Sequence, residues 1–284
     1  MNEGQWPMVA RTWQQIGPPL RPSEEDVGFF GAALSAWCAG AGPVSPRGLI
    51  LGVTPELYRL SWPPGSQLKA ADRTPEMIEY VWPGPASDVL RTDWRQLNGP
   101  PRSFDIVLCD GGLHLLDYPD GQADLCRRLA RLVAPDGLVA LRLFVPPSEP
   151  ETPEQVLAAL LAGAIPDLNC LKLRLGMALQ ASPRAGAALK QVWRTLRGEA
   201  PDWSGLAAQL GWSTAQLAVI DAYRDASACY HFVSVAEVQR QFCEDTGGAF
   251  ELLRLDTPSY AMGSQCPTLV FRRTTLDPAE AVHG

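Results

Sequence analysis

Apolar residues along this chain fall into two rhythms. Short, nearly unbroken apolar runs mark strands, and apolar residues recurring every three or four positions mark helices. "GLILGV" (48–53) is the first strand, "SQLKAAD" (66–72) the second, and "SDVLRTDW" (87–94) holds a short third. "SFDIVLCD" (103–110) is a fourth and the clearest, and "LVALRLFV" (138–145) is a fifth. Between them a helix begins near "TPEMIEYVW" (74–82), and "QADLCRRLARLVAPDG" (122–137) is amphipathic. Leu125, Leu129 and Leu132 share one face of that helix, and Gly137 lies past its end. Strands this uniformly apolar are covered on both sides, which means a parallel sheet with helices on each face.

Before the first strand, "GPPLRPSEED" (17–26) reads as a rigid turn leading into a helix through "VGFFGAALSAWCAG" (27–40). Ser23 is the expected N-cap, with Glu24, Glu25 and Asp26 favoured by the positive end of the helix dipole. After the fifth strand the character changes. Helices are expected at 152–164, 168–180, 185–198 and 213–227, and another at 234–246. "AFELLRLDTPS" (249–259) and "CPTLVFRRT" (266–274) then close as an antiparallel pair at one end of the sheet. The expected fold is α/β: a seven-stranded, mostly parallel, doubly wound sheet with an antiparallel last strand and a helical insertion between strands five and six.

Composition narrows the function classes. At 284 residues the chain suits one large domain. Its 46% apolar content contains no eighteen-residue stretch free of polar interruption, so no membrane span is expected. "MNEGQWPMVARTWQQ" shows no basic region followed by an apolar run, so no secretory leader is expected either. The net charge of −7 argues against a broad phosphate-binding surface, hence against a nucleic-acid partner. Arg127, Arg128 and Arg131 cluster, but their helical spacing reads as a solvated face. Seven scattered cysteines without a CxxC pair read as buried reduced thiols in a cytoplasmic protein. His114, His231 and His283 offer no zinc-ligand pattern, and no metal is expected.

Candidate chemistry follows from the strand ends, because open parallel sheets bind ligands beyond the carboxyl ends of their strands. Gly52, Val53 and Thr54 follow the first strand, Asp72 and Arg73 the second, and Asp93 and Trp94 the third. Asp110, Gly111, Gly112 and His114 follow the fourth. Asp72 can take both hydroxyls of a ribose, or cap the helix starting at Pro75. Asp93 can accept from an exocyclic amine beside a ring held near Trp94, or serve as a turn aspartate next to a packing tryptophan. Gly111 and Gly112 allow close approach of backbone to ligand, or meet the turn's own geometry.

The order of elements, the acidic end of strand two, "TDW", "FDIVLCDGGLHLL" and "RLARLVAPDGLVALRLF" together resemble the class I S-adenosylmethionine-dependent methyltransferases. The "LHLL" segment after strand four, the turn from Leu132 to Gly137, and the closing "FELLRLD…CPTLVFRR" carry the likeness, which spans roughly residues 44–145 and 232–273. The resemblance implies a Rossmann-like core at 44–147 and 229–275, with an N-terminal helical accessory segment at 1–43. It also implies that 148–228 is a helical lid over an acceptor pocket, where Trp193, Trp203, Trp212 and Tyr223 stand; plain helical core or a homodimer surface is the alternative.

The departure is the first loop. The family carries an acidic residue and alternate glycines there, and this chain has Leu51-Gly52-Val53-Thr54-Pro55. A dinucleotide needs such glycines to seat a pyrophosphate on a helix N-terminus. S-adenosylmethionine has no phosphate, so the substitution counts more against a nicotinamide cofactor than against a sulfonium nucleoside. The expected activity is methyl transfer from S-adenosylmethionine to a small-molecule acceptor. The alternative is a catalytically inactive, methyltransferase-like scaffold or regulatory protein. His114 and His231 are the candidate general bases, with packing roles as the competing reading, and Trp13 with "PLRPS" is placed to close over the cofactor.

Overall fold

A computed structural model describes residues 5–42, 45–199 and 202–275. Among these, α1 (Trp6–Arg11) and α2 (Glu24–Ala41) precede β1 (Arg47–Leu51). Then follow α3 (Pro55–Tyr58), β2 (Gln67–Asp72), α4 (Pro75–Tyr80), β3 (Val89–Arg91), β4 (Phe104–Asp110), α5 (Asp120–Leu132) and β5 (Val133–Arg142). The insertion holds α6 (Pro153–Leu161), α7 (Leu168–Leu179), β6 (Ala187–Ala188), α8 (Leu189–Glu199), α9 (Trp203–Leu210) and α10 (Thr214–Ala218). The chain returns through β7 (Cys229–Tyr230), α11 (Val235–Cys243), β8 (Phe250–Asp256) and β9 (Thr268–Arg273).

Seven strands form one sheet in the order β3-β2-β1-β4-β5-β9-β8. The first five are parallel, and β9 runs antiparallel to both β5 and β8. This is the expected class, with the last strand inserted between β5 and β8. Side chains alternate across the sheet as the strand period demands. Ile50, Ala70, Ile106, Leu108 and Ala140 pack on one face with α2 and the insertion. Leu49, Leu51, Val107, Cys109 and Val139 pack on the other with α5 and α11.

Register sets up the site. Leu51 pairs with both Ala71 and Cys109, and Asp110 pairs with Arg142, so the carboxyl ends of four strands finish side by side. The order of strands reverses between β1 and β4, which opens a crevice at that point.

Several local expectations are corrected. The helix expected within 122–137 ends at Leu132, where the turn to Gly137 was expected, but β5 starts at Val133 rather than at 138. Val133 already pairs with Phe104 before a register break, Asp136 takes φ +60°, and a Cβ on Gly137 would lie 2.7 Å from the Asp105 carbonyl oxygen. The helix expected from 185 begins at Leu189, because Ala187 and Ala188 pair with Cys229 and Tyr230. The helix expected at 213–227 is α10 followed by a tight 3-10 turn at 219–223, and α9, capped by Asp202, was not anticipated. Ser23 does cap α2, in a reciprocal box with Asp26: the Asp26 N–H donates to Ser23 Oγ at 3.2 Å, and the Ser23 N–H to Asp26 Oδ2 at 2.8 Å. Among the described residues no helix is long and apolar enough to cross a membrane.

Candidate functional site

A cavity of about 360 Å³ opens where the strand order reverses. That is a size that holds small-molecule ligands. Gly52, Val53, Thr54, Asp72, Arg73, Asp93, Trp94, Asp110, Gly111 and Gly112 all line it. The loop after β1 forms a floor, not a plug: Val53 is 2% exposed and packs into the core with Leu57 and Phe30. Gly52 takes φ +90° and its N–H donates to the Ala71 carbonyl at 2.8 Å; a side chain there is strained by the backbone, not by crowding. Gly111 takes φ +56° and is crowded as well, and Gly112 is held by packing alone. A Cβ on Gly111 would lie 2.9 Å from Phe144, and one on Gly112 would lie 2.6 Å from Trp94 and 2.7 Å from Cys109 Sγ.

The carboxylates differ in what already occupies them. Asp72 lines the cavity and accepts the Thr74 N–H at 2.8 Å through Oδ1, with the Thr74 hydroxyl and the Arg73 N–H also directed at its carboxylate. Burial pushes its carboxyl up, so further donors are favourable there. Asp93 does not have the freedom expected of it. Oδ1 accepts from the Arg95 backbone N–H and Nε, each at 2.9 Å, and Oδ2 accepts from Arg95 Nη2 at 2.7 Å and Arg73 Nη1 at 3.0 Å. Four donors fill its lone pairs, and the Arg95 bonds hold its carboxyl down at about 2. Its role as acceptor for an exocyclic amine is therefore closed in this arrangement; it fixes the lip of the cleft instead. Arg95 also reaches Asp117 at 3.0 Å.

Asp110 pairs with Arg142 Nε beneath the cavity floor. Arg142 is fully buried, donates to the Pro19 carbonyl at 2.7 Å and to Tyr260 Oη at 3.2 Å, and lies 3.9 Å from Asp26. Burial works against its charge, but Asp110, Tyr260 and Asp26 outweigh that and raise the guanidinium above its ordinary value. Asp26, read from the sequence as a helix-start residue, is thus also a counter-ion. An arginine inside "LVALRLFV" was the available signal, since a charge in a buried strand needs a partner.

The two histidines part company. His114 does not line the cavity. Its ring stacks on Phe232 at 5.5 Å and meets Tyr230 edge-on at 4.5 Å. Burial, with Arg142 and His231 adding to it, pushes it down to about 3, so it stays neutral and is a poor proton acceptor near pH 7. His231 does line the cavity. Its Nδ1 sits 2.8 Å from the Pro183 carbonyl oxygen, which requires Nδ1 to carry a proton and makes Nε2 the acceptor in the neutral ring. His283 lies outside the described residues.

Sequence reasoning missed part of the cover. Gln5, Trp6, Trp13 and Leu20 close one side, and Ala228 to His231 close another. Arg21 stacks on Trp13 at 5.3 Å and pairs with Glu56 of α3, tying this segment to the core. Trp13 Nε1 is buried without a hydrogen-bond partner. Of this cover the sequence pointed to Trp13, to Leu20 within "PLRPS", and to Tyr230 with His231; Gln5, Trp6, Ala228 and Cys229 carried no signal.

Residues 51–141 match the family model described as a methyltransferase domain. None of the curated proteins compared matches. Among solved structures, CcbJ methyltransferase from Streptomyces caelestis aligns at 15% identity with TM-score 0.51, covering 94% of this chain and 96% of its own. A protein from Rhodobacter sphaeroides, provisionally described among Zn-dependent alcohol dehydrogenases, aligns at 15% identity with TM-score 0.61, covering 95% and 97%. At such identities these likenesses speak for the fold alone. Among the described residues no group of three or more His, Cys, Asp and Glu side chains could hold a metal ion.

Proposed function

We propose that this chain, a class I Rossmann-like methyltransferase by its domain match and fold, transfers a methyl group from S-adenosylmethionine to a small-molecule acceptor. The observation that carries the reading is the convergence of ten residues from four strand ends on one cavity, with Asp72 a carboxylate whose burial outweighs the donors it already has.

The residues present fit such a nucleoside. Asp72 would take the ribose hydroxyls, whose donors offset the burial that now pushes its carboxyl up. Met77, Trp94 and Leu116 would cover an aromatic ring. The Trp13 indole N–H, buried without a partner, is a donor waiting for an acceptor. When bound, S-adenosylmethionine supplies a methyl carbon made electrophilic by its sulfonium. The protein's part is alignment and exclusion of water, the larger share of what such a displacement needs. Where the acceptor must lose a proton, His231, which lines the cleft and keeps Nε2 as its acceptor nitrogen, would be the base. The acidic net charge and the cover from residues 5–20 and 228–231 favour a small acceptor over a nucleic acid.

Isothermal titration with S-adenosylmethionine and S-adenosylhomocysteine tests the reading. Binding of both, with a thermal shift that grows with ligand concentration, is expected. No heat and no shift with either compound overturns it.

A further inference from the structure

Beside the cleft lies a second, smaller space of about 10 Å³, room for roughly one water-sized atom. His114, Lys172, Tyr223, Tyr230 and Phe232 line it. Leu20 and Tyr230 line both spaces, so they form the partition between void and cleft.

Lys172 is out of place as a structural residue. It sits on α7 within "LNCLKLRLGMAL", is 5% exposed, and holds its ammonium 4.6 Å from the Tyr223 ring centroid. No carboxylate pairs with it among the described residues, and burial alone pushes it down, to about 8. A buried ammonium without a counter-charge is costly, and an apolar side chain of similar length would avoid that cost. His114 adds a second unmet group: its Nδ1 is buried without a partner. The neutral imidazole can present an N–H there. Tyr223 donates its hydroxyl proton to Tyr230, which also accepts from Gln5, so the Tyr223 donor at this wall is already engaged.

We infer that Lys172 is the docking point for a carboxylate of the methyl acceptor, one oxygen of which fills the void with His114 as second donor. This rests on the methyl-transfer reading and deepens it by naming the acceptor's chemical class. A carboxylate suits the site better than a phosphate. One positive charge and one atom-sized space are present, and the remaining walls, Leu173, Leu189, Val192 and Phe232, offer no further side-chain donors. The acceptor then enters carboxylate first past Tyr230, leaving its other end in the cleft where His231 stands.

Benzoate and its uncharged counterpart benzamide are the probes. Each is titrated calorimetrically into the wild-type protein and into Lys172→Met, with and without saturating S-adenosylhomocysteine. Benzoate should bind the wild type at least tenfold more tightly than benzamide, and Lys172→Met should erase that preference. The variant should keep its affinity for S-adenosylhomocysteine within about twofold, and its ligand-free melting point should not fall, because an unpaired buried charge has been removed. Benzoate binding no better than benzamide, or binding Lys172→Met as well as wild type, overturns the inference. If Lys172→Met does not fold, Lys172→Gln carries the same comparison. If benzoate binding tracks Lys172 while S-adenosylhomocysteine does not bind, the anion site stands and the methyl-transfer reading falls; the converse result spares the cofactor and removes the anion site.

Discussion

Asp72 and Asp93 end adjacent strands, and only their hydrogen bonds separate their roles. Asp93 has four charged or backbone donors from Arg95 and Arg73 that hold its carboxyl down; the Thr74 and Arg73 bonds to Asp72 do not outweigh its burial, and its carboxyl is pushed up. Asp72→Asn should therefore weaken S-adenosylhomocysteine binding by about 10- to 100-fold, since a hydrogen bond to a charged group is worth about 1.5–3 kcal/mol. Calorimetry measures it, and unchanged affinity would remove Asp72 from the site. His114 makes a different prediction, about stability. Its folded value lies far below the ordinary one, so between about 6.5 and 3 the unfolded chain binds a proton that the folded chain refuses. Its contribution is complete above pH 6.5 and is lost as pH falls toward 3. Urea titrations at pH 7 and pH 5 should show a smaller acid loss of stability in His114→Phe than in wild type. An equal loss in both would mean His114 is not buried neutral.

β5 and its neighbours show where an element depends on partners distant in sequence. Arg142 on β5 joins Asp110 on β4, Pro19 before α2, Asp26 in the first turn of α2, and Tyr260 between β8 and β9. Arg142→Met leaves buried Asp110 without its partner and removes the nearby positive charge from buried Asp26. The expected cost is about 3–5 kcal/mol, read as a fall in the urea midpoint. A loss below about 1 kcal/mol would show that the pair is dispensable. The strands themselves were legible because their apolar runs repeat a period that only a covered parallel sheet uses, as in "GLILGV" and "FDIVLCD". Their carboxyl-end residues were legible for the same reason, since pairing of Leu51 with Ala71 and Cys109 brings those ends together. What failed was local competition. "VAPDG" scans as a helix end, but Val133 finds Phe104 and joins the sheet; "GAAL" scans as helix, but Ala187 and Ala188 find Tyr230 and Cys229. Neither pairing leaves a trace in the neighbouring sequence.

At the scale of the whole molecule the site is assembled from three separated stretches. The strand ends supply the floor, residues 5–20 one wall, and residues 228–231 the other. The floor follows from strand periodicity; the walls do not, because Trp6 and Trp13 reach the cleft through packing and the Arg21 contacts with Glu56 and Trp13. This arrangement makes closure a property of chain segments far from the sheet's own hydrogen bonds. A ligand that spans the cavity touches all three stretches and must slow the opening of the two that lack strand pairing with the main sheet. Hydrogen exchange with and without S-adenosylhomocysteine should therefore show added protection at residues 5–20 and 226–233. Amides of β4, already at the stable end of the molecule, should change little. The same experiment on Glu56→Gln, which weakens the tie between Arg21 and α3, should show less added protection at 5–20 and a several-fold weaker affinity. Protection confined to 52–54 and 110–112 would place the ligand on the floor alone and take the N-terminal wall out of the site.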